Sequence, residues 1–516
     1  MKTRKSHMRN WLAVPATLLA LTLSACGGSS PASQPQSSAQ GPIESAVLSL
    51  PAPSQNLDPT ASVTATDRAT WSLINGTLFR AEFDGTIVPS LAASVDYNDD
   101  YTAATVKLVD GAKFSDGTLL TAKDVEATFN RQKSVEGSTL ATTMNRVASI
   151  KANGDDSVQF EFDGPFPSFE DYFAQGSTGI FPAAGMENAD EFFKNPVTSG
   201  PYKMVSGWSS NQLDLELNDN YFGPRPIIED LTIAIVEDAN SAISQLQSGQ
   251  IDYAGDLPPN YLAQLEGAQG VTVSGIQAFG FYDVRMNNAT GPMADANLRK
   301  AINVSLDRES IVNSIWGELN EPLQGFWPQS MEGFEPALET GRDLELAKEF
   351  LAKSDTCQSG CSVRMMYSDQ EFPFSGQLAL MVQSQLKEVG ITVELEKLDA
   401  ATLIDRLFAG DYDLVPGAMA APSNVPDPLL ANALLSTGFL KAEFTGYKSA
   451  QMDAHIAKVY STRGADRTAA IKEISTQFIE DQPYAVLAPW VRGAATTLPE
   501  GVLSLQGTAV VVGTQK

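Results

Sequence analysis

Apolar positions recur along this chain with two different periods, and each change of period marks an element. In "TAATVKLVDGAKFSDGTLL" Val106 and Leu108 alternate with Lys107 and Val109. Period two predicts a strand, and Ser115-Asp116-Gly117 predicts the turn after it. Thr121 and Asp124 then form a capping-box pattern, with Val125 and Phe129 one helical turn apart on a single face. Val158, Phe160 and Phe162 return to alternation. The stretch "IEDLTIAIVEDANSAISQLQSGQIDYAG" reads as strand, helix, strand: Asp238 offers an N-cap, Ile243 and Leu246 share a face, and Gly249 stands at the stop. Such a βαβ unit predicts parallel pairing. Near the C-terminal third, Leu378, Met381, Val382, Leu386 and Val389 fall at helical spacing up to Gly390, and Ile391, Val393 and Leu395 alternate as a strand. Leu403, Leu407 and Phe408 predict a further helix, Gly410 its end, and "DYDLVPGAM" the next strand. Two separate α/β regions follow from this pattern, and a crevice between them is the natural ligand site.

The N-terminus has a different character. Lys2, Arg4, Lys5 and Arg9 precede a mostly apolar run, Trp11 to Leu23, with no acidic residue. That is the anatomy of a secretion signal, too short for a stable span. Leu23-Ser24-Ala25-Cys26 resembles the lipobox of bacterial lipoproteins, in which the cysteine is acylated and becomes the new N-terminus. An ordinary signal peptide with an incidental cysteine is the alternative. Residues 1–25 are thus expected to be removed, and 26–42, rich in Ser, Pro, Gln and Ala, to form a flexible leash after the lipid.

Composition narrows the function classes. The leader holds four Lys/Arg and no Asp/Glu, so removing it takes the formal charge from −27 to −31. A surface so acidic repels phosphate backbones and argues against nucleic acid as a partner. The two remaining cysteines, Cys357 and Cys361, enclose a turn-forming Gln-Ser-Gly and are expected to form a disulfide in an exported chain. A zinc site is the weaker alternative, because it needs about four N/S ligands and His455 is the one histidine after the leader. No G-x-S-x-G, H-E-x-x-H, Walker or G-x-G-x-x-G motif occurs, so nothing points to an enzyme, a metal or a cofactor.

A set of collinear motifs carries a family resemblance. Leu57-Asp58-Pro59 is followed by Phe83-Asp84-Gly85-Thr86-Ile87-Val88-Pro89 with Leu91-Ala92. Then come Phe114, Asp116, Gly117, Leu120, Thr121, Ala122, Asp124 and Val125, and in order "TSGPY", "LNDNYFGPRP", "LQSGQIDY" and "MADANLRKAINVSLDRESIV". Together these resemble the family 5 extracellular solute-binding proteins, the peptide- and nickel-type receptors of ABC importers. The resemblance implies an α/β fold of two lobes, periplasmic-binding-protein-like and of type II in its large cluster. The expected divisions are lobe I at 43–284 with an inserted subdomain at about 87–195, lobe II at 285–481, and a segment 482–516 returning to lobe I. It further implies a monomer that captures an oligopeptide or similar small solute and delivers it to ABC permease subunits with a cytoplasmic ATPase. A lipid-anchored hydrolase, and a sensor or adhesin without its own permease, are the competing readings.

One departure bears on the ligand. Peptide-binding relatives often carry Gly-Trp followed by an Asp that pairs with the peptide's ammonium group. Here Ala418 stands in place of the Trp and Ala421 about where the Asp falls. Asp427 is a candidate replacement, although Asp-Pro also suits a turn. The expected walls of the crevice are Trp71 and Phe279 from lobe I and Met419, Ala420, Ala421, Asn424 and Asp427 from lobe II. Small residues would leave volume there, and Met419 would adapt to varied side chains.

Overall fold

The computed structural model describes residues 41–515 apart from 55, 62–63, 83–84, 210, 266, 318–319, 337–340, 371, 373, 422–423, 438–444 and 508. Cys26 and the leader lie outside the described residues. No helix among those described is long and apolar enough to cross a membrane.

Ten strands share one sheet, in the order Ile391–Lys397, Cys361–Tyr367, Leu414–Ala420, Thr272–Met286, Tyr484–Thr496, Tyr253–Leu257, Ile43–Leu50, Ile228–Ile235, Gln212–Leu217 and Tyr202–Met204. The two longest sit at its middle. The crossing strand, Thr272–Met286, pairs antiparallel with the return strand, Tyr484–Thr496, from Thr272 opposite Thr496 to Arg285 opposite Tyr484. Both are largely apolar in their central parts, as strands covered on two faces must be. The crossing strand also pairs with Leu414–Ala420, and the return strand with Tyr253–Leu257, so these two strands carry the backbone from one half of the sheet to the other.

The expected βαβ unit is present with one refinement. Strand Ile228–Ile235, helix Ala239–Ser248 and strand Tyr253–Leu257 follow in order. Ile43–Leu50 is inserted between the two strands and runs parallel to both. Asp238 caps the helix by accepting from the Ser241 amide, and Gly249 ends it in the left-handed conformation, φ 73°, which glycine adopts without steric cost. In the C-terminal half, Cys361–Tyr367 and Ile391–Lys397 pair in parallel across helix Ser375–Lys387, which buries Leu378, Val382 and Leu386. Cys357 and Cys361 are joined by a disulfide, their Cα atoms 5.0 Å apart.

A four-stranded antiparallel sheet, Ala92–Tyr97, Ala103–Leu108, Ser157–Phe162 and Val147–Asn153, has a core of its own. Val106, Val158 and Phe160 are fully buried there against Val125 and Phe129 of helix Ala122–Ser134. That helix starts with the capping box of Thr121 and Asp124. Phe129, Phe160, Phe169 and Phe173 interlock edge-to-face and tilted with centroids 4.5–6.1 Å apart, in the range where aromatic pairs attract.

Candidate functional site

Helix Ala65–Ile74 buries most of its surface, including Thr66, Ala69, Thr70, Trp71, Leu73 and Ile74. Arg68 and Ser72, one turn apart, form the row left over, and both line a cavity of about 190 Å³. Ser72 is fixed at the wall: its Oγ donates to the Ala69 carbonyl at 2.7 Å and accepts from the Val510 amide at 2.8 Å. The second bond ties the helix to the hairpin Leu503–Gln506 and Ala509–Val512, which supplies another part of the wall. Asp171 and Gln175 enter from the segment after the four-stranded sheet, Phe279 from the crossing strand, and Asn424 from beyond strand Leu414–Ala420.

Three charged side chains among the described residues line the cavity, and their states differ. Arg80 is paired with Glu82 at 2.7 Å. Arg68 makes no ion pair or side-chain hydrogen bond among the described residues; burial, then the neighbouring Arg492, holds its pKa below the usual arginine value. Arg492 in turn pairs with Asp256 at 3.0 Å. Among the described residues Asp171 has no donor beyond its own backbone, and its carboxyl is pushed up to about 7. Burial is the main cause, followed by the charges of Asp427 and Glu332, with Arg467 opposing. Two further lining residues carry buried atoms without a hydrogen-bond partner among the described residues, Asn75 Oδ1 and Gln175 Nε2.

The sequence-derived wall residues separate into two groups. Phe279 and Asn424 line the cavity. Trp71 does not: it is 1 % exposed, its Nε1 donates to the Leu57 carbonyl at 3.0 Å, and it packs with Leu57, Phe181 and Phe193. Met419 is buried with Phe281, Leu430 and Ile474 in a core on the other side of the strand. Ala420 is exposed opposite Gly280 in the strand pair, and the Ala421 amide donates to the Phe279 carbonyl at 2.6 Å. Neither borders the cavity.

Asp427 is fully buried and already held. It forms an ion pair with Arg467, accepts from Ser168 Oγ at 2.7 Å, and lies 3.7 Å from Arg146. Its role is to join the segment after the four-stranded sheet to helix Gly464–Asp481. No ligand ammonium is needed to neutralise it.

The sequence reading missed Arg68 and Asp171. For Arg68 a signal was present. In "ATDRATWSLI" the large apolar residues Trp71, Leu73 and Ile74 all lie off the face that Arg68 and Ser72 share, so Trp71 belongs inside and its neighbour Ser72 at the wall. Asp171 carried no such signal, because its burial comes from elements distant in the chain.

The sequence model of the bacterial extracellular solute-binding proteins, family 5 (middle region), matches residues 86–441. The chain is 31% identical over 426 residues to the probable D,D-dipeptide-binding periplasmic protein DdpA of Escherichia coli (strain K12), covering 80% of each. It is 28% identical over 529 residues to the oligopeptide-binding protein AppA of Bacillus subtilis (strain 168), covering 94% of each. Among solved structures, the ABC transporter substrate binding protein CtaP of Listeria monocytogenes superposes with a TM-score of 0.77 at 24% identity, over 88% of this chain and 94% of that one, and shares the fold. Members of this family bind solutes outside the cytoplasm and are not enzymes. With a matched region covering well over half of its length, the chain belongs to family 5 of the bacterial extracellular solute-binding proteins.

Proposed function

We propose that this protein captures an oligopeptide or similar small solute between two lobes and hands it to the permease of an ABC importer driven by a cytoplasmic ATPase. The observation that carries this reading is the cavity, in a chain of this family. Its wall combines Arg68 and Ser72 from one half of the chain with Asn424 from the other, joined by Phe279 on the strand that crosses between them. A solute held there would touch both halves and so favour their closed arrangement over an open one, as a ligand must if it is to shift a conformational equilibrium. At about 190 Å³ the cavity is below the roughly 300–1,000 Å³ that encloses drug-sized ligands, which favours a short peptide or a solute of that size.

The lipid anchor belongs to the same reading. Acylation of Cys26, supported by Leu23-Ser24-Ala25 before it, would keep the receptor at the outer face of the cytoplasmic membrane, within reach of its permease. The protein is expected to act as a monomer. The test is mass spectrometry of solutes released when natively purified protein is denatured, together with uptake of the identified solute by a deletion strain. Recovery of a short peptide or amino-acid-like solute, and impaired uptake in the deletion strain, are expected. A released solute of another class, or unimpaired uptake, overturns the proposal.

A further inference from the structure

We propose that the solute is zwitterionic, with its cationic group set against Asp171 and its anionic group against Arg68, and that these two side chains determine specificity. This rests on the solute-capture reading above.

The argument is a charge count at two places on one wall. Around Asp171 stand the carboxylates of Asp427 and Glu332 and the guanidinium of Arg467, with Arg146 reaching Asp427 at 3.7 Å. Arg467 also pairs with Glu332 at 2.8 Å. Tyr172 and Tyr460 complete the surroundings and stay neutral, because burial first, and then nearby charges, raise both well above the usual phenol range. Among the described residues three carboxylates therefore face two guanidiniums, and the surplus is one negative charge. Arg467 and Arg146 are both engaged by Asp427, so Asp171 is the group left without a counter-ion.

At Arg68 the count is reversed. Arg68 has Arg492 as its charged neighbour, and Arg492 is paired with Asp256 at 3.0 Å, while no carboxylate among the described residues pairs with Arg68. The surplus is one positive charge, on the guanidinium that lines the cavity. Arg68 and Asp171 do not neutralise each other. Asp427, Glu332 and Arg467 act on Asp171 and Arg492 acts on Arg68, and no ion pair or hydrogen bond joins Arg68 to Asp171 among the described residues. The third charged lining residue, Arg80, is already balanced by Glu82. A desolvated charge needs a partner or must lose its charge. A single solute with an ammonium and a carboxylate satisfies both residues at once, whereas a neutral solute would seal both charges away from water unpaired.

The proposal makes a linkage that a purely structural role for Asp171 does not. With its carboxyl at about 7 in the unoccupied protein, Asp171 is about half protonated at pH 7. An ammonium placed against it favours the ionised form, so Asp171 gives up its proton on binding, while a peptide α-amino group, which titrates at about 8, must take one up wherever it is neutral: net release is about 0.9 at pH 6 and about 0.4 at pH 7, and it turns to an uptake of about 0.9 at pH 9.

The experiment offers a pool of di- and tripeptides in four forms: free, N-acetylated, C-amidated and doubly capped. Peptides retained by the protein are identified by mass spectrometry, and titration calorimetry of the best-retained peptide is run in buffers of different ionisation enthalpy. Retention of the free forms at least tenfold over each capped form, with the proton release above, is expected. Asp171→Asn should lose the discrimination against N-acetylation together with the proton release, and Arg68→Gln the discrimination against C-amidation. Asp171→Asn should melt no lower than the parent at pH 8, which separates loss of recognition from loss of fold. Equal retention of capped and free peptides overturns the zwitterion assignment while leaving solute capture intact. If the whole pool is rejected, the peptide reading fails instead, and the native solute released on denaturation decides the assignment by whether it carries both charges.

Discussion

Replacing Arg467 with Met removes the charge on which the junction between the four-stranded sheet and the C-terminal helices depends. Arg467 donates to Glu332 through Nε and Nη2, both at 2.8 Å, and to the Val459 carbonyl at 2.9 Å, and it pairs with the fully buried Asp427. Without it Asp427 keeps Ser168 at 2.7 Å and Arg146 at 3.7 Å, and Asp171 loses the one guanidinium that opposes its burial. Breaking a buried pair from one side costs about 3–5 kcal/mol, because the partner is left charged in a low dielectric. Unfolding entropy near 2.1 cal/mol/K per residue, over the roughly 475 residues after the leash, gives about 1 kcal/mol/K if they melt together. The melting temperature should therefore fall by about 3–5 °C at pH 8. The pH dependence has a definite sign. Asp171 titrates at about 7 in the fold against 3.8 for an ordinary aspartate, so the folded state binds the extra proton between those values and stability falls as pH rises through them. Removing Arg467 raises the folded value further, so the deficit should be smaller at pH 6 than at pH 8. Scanning calorimetry at both pH values checks this. A fall below 1 °C, or a larger deficit at pH 6, would refute the reasoning.

Trp71→Ala should lower stability by about 3–5 kcal/mol through the void it leaves, while peptide affinity measured below the melting range stays within about threefold, since the indole lies behind the wall. Gly417→Ala places a methyl 2.5 Å from Arg285 Nε and 2.9 Å from Asp283 Oδ1, a buried ion pair; a loss of about 1–3 kcal/mol in denaturant melts is expected. Cys357→Ser should cost about 2 kcal/mol or less, because the disulfide closes a very short loop; the parent should show no free thiol at these positions until reduced. Cys26→Ser should move the protein from the detergent phase to the aqueous phase in phase partitioning, and unchanged partitioning would count against the anchor.

Local chemistry made much of the secondary structure legible. The Thr121–Asp124 capping box, the Asp238 N-cap and the Gly249 stop act within a few residues of themselves, and each is where the pattern puts it. The insertion of Ile43–Leu50 between the two strands of the βαβ unit was not legible, since alternation says which residues pair and not with what. At the site the limits are sharper. Phe279 and Asn424 reach the cavity, but Met419 and Asp427, a few residues from Asn424, face the opposite core or a buried arginine. An aspartate's sequence context does not reveal whether tertiary contacts have already neutralised it. Asp427 is buried against Arg467 and Ser168, whereas Asp171 lines the cavity and pairs with no cation among the described residues.

The return strand Tyr484–Thr496 fills the middle of the ten-stranded sheet and comes last in chain order among its ten strands. Roughly 200 residues separate it from the crossing strand it must join, a delay of about 10–40 s at 5–20 residues per second. Throughout that interval Thr272–Met286 has one edge without its partner, and Tyr253–Leu257 has the facing edge likewise open. Open edges on long strands are templates for wrong pairing. The growing chain therefore has no complete ten-stranded sheet to settle into until the return strand is made. A chain cut before Tyr484 would leave the crossing strand and Tyr253–Leu257 each with an unpaired edge.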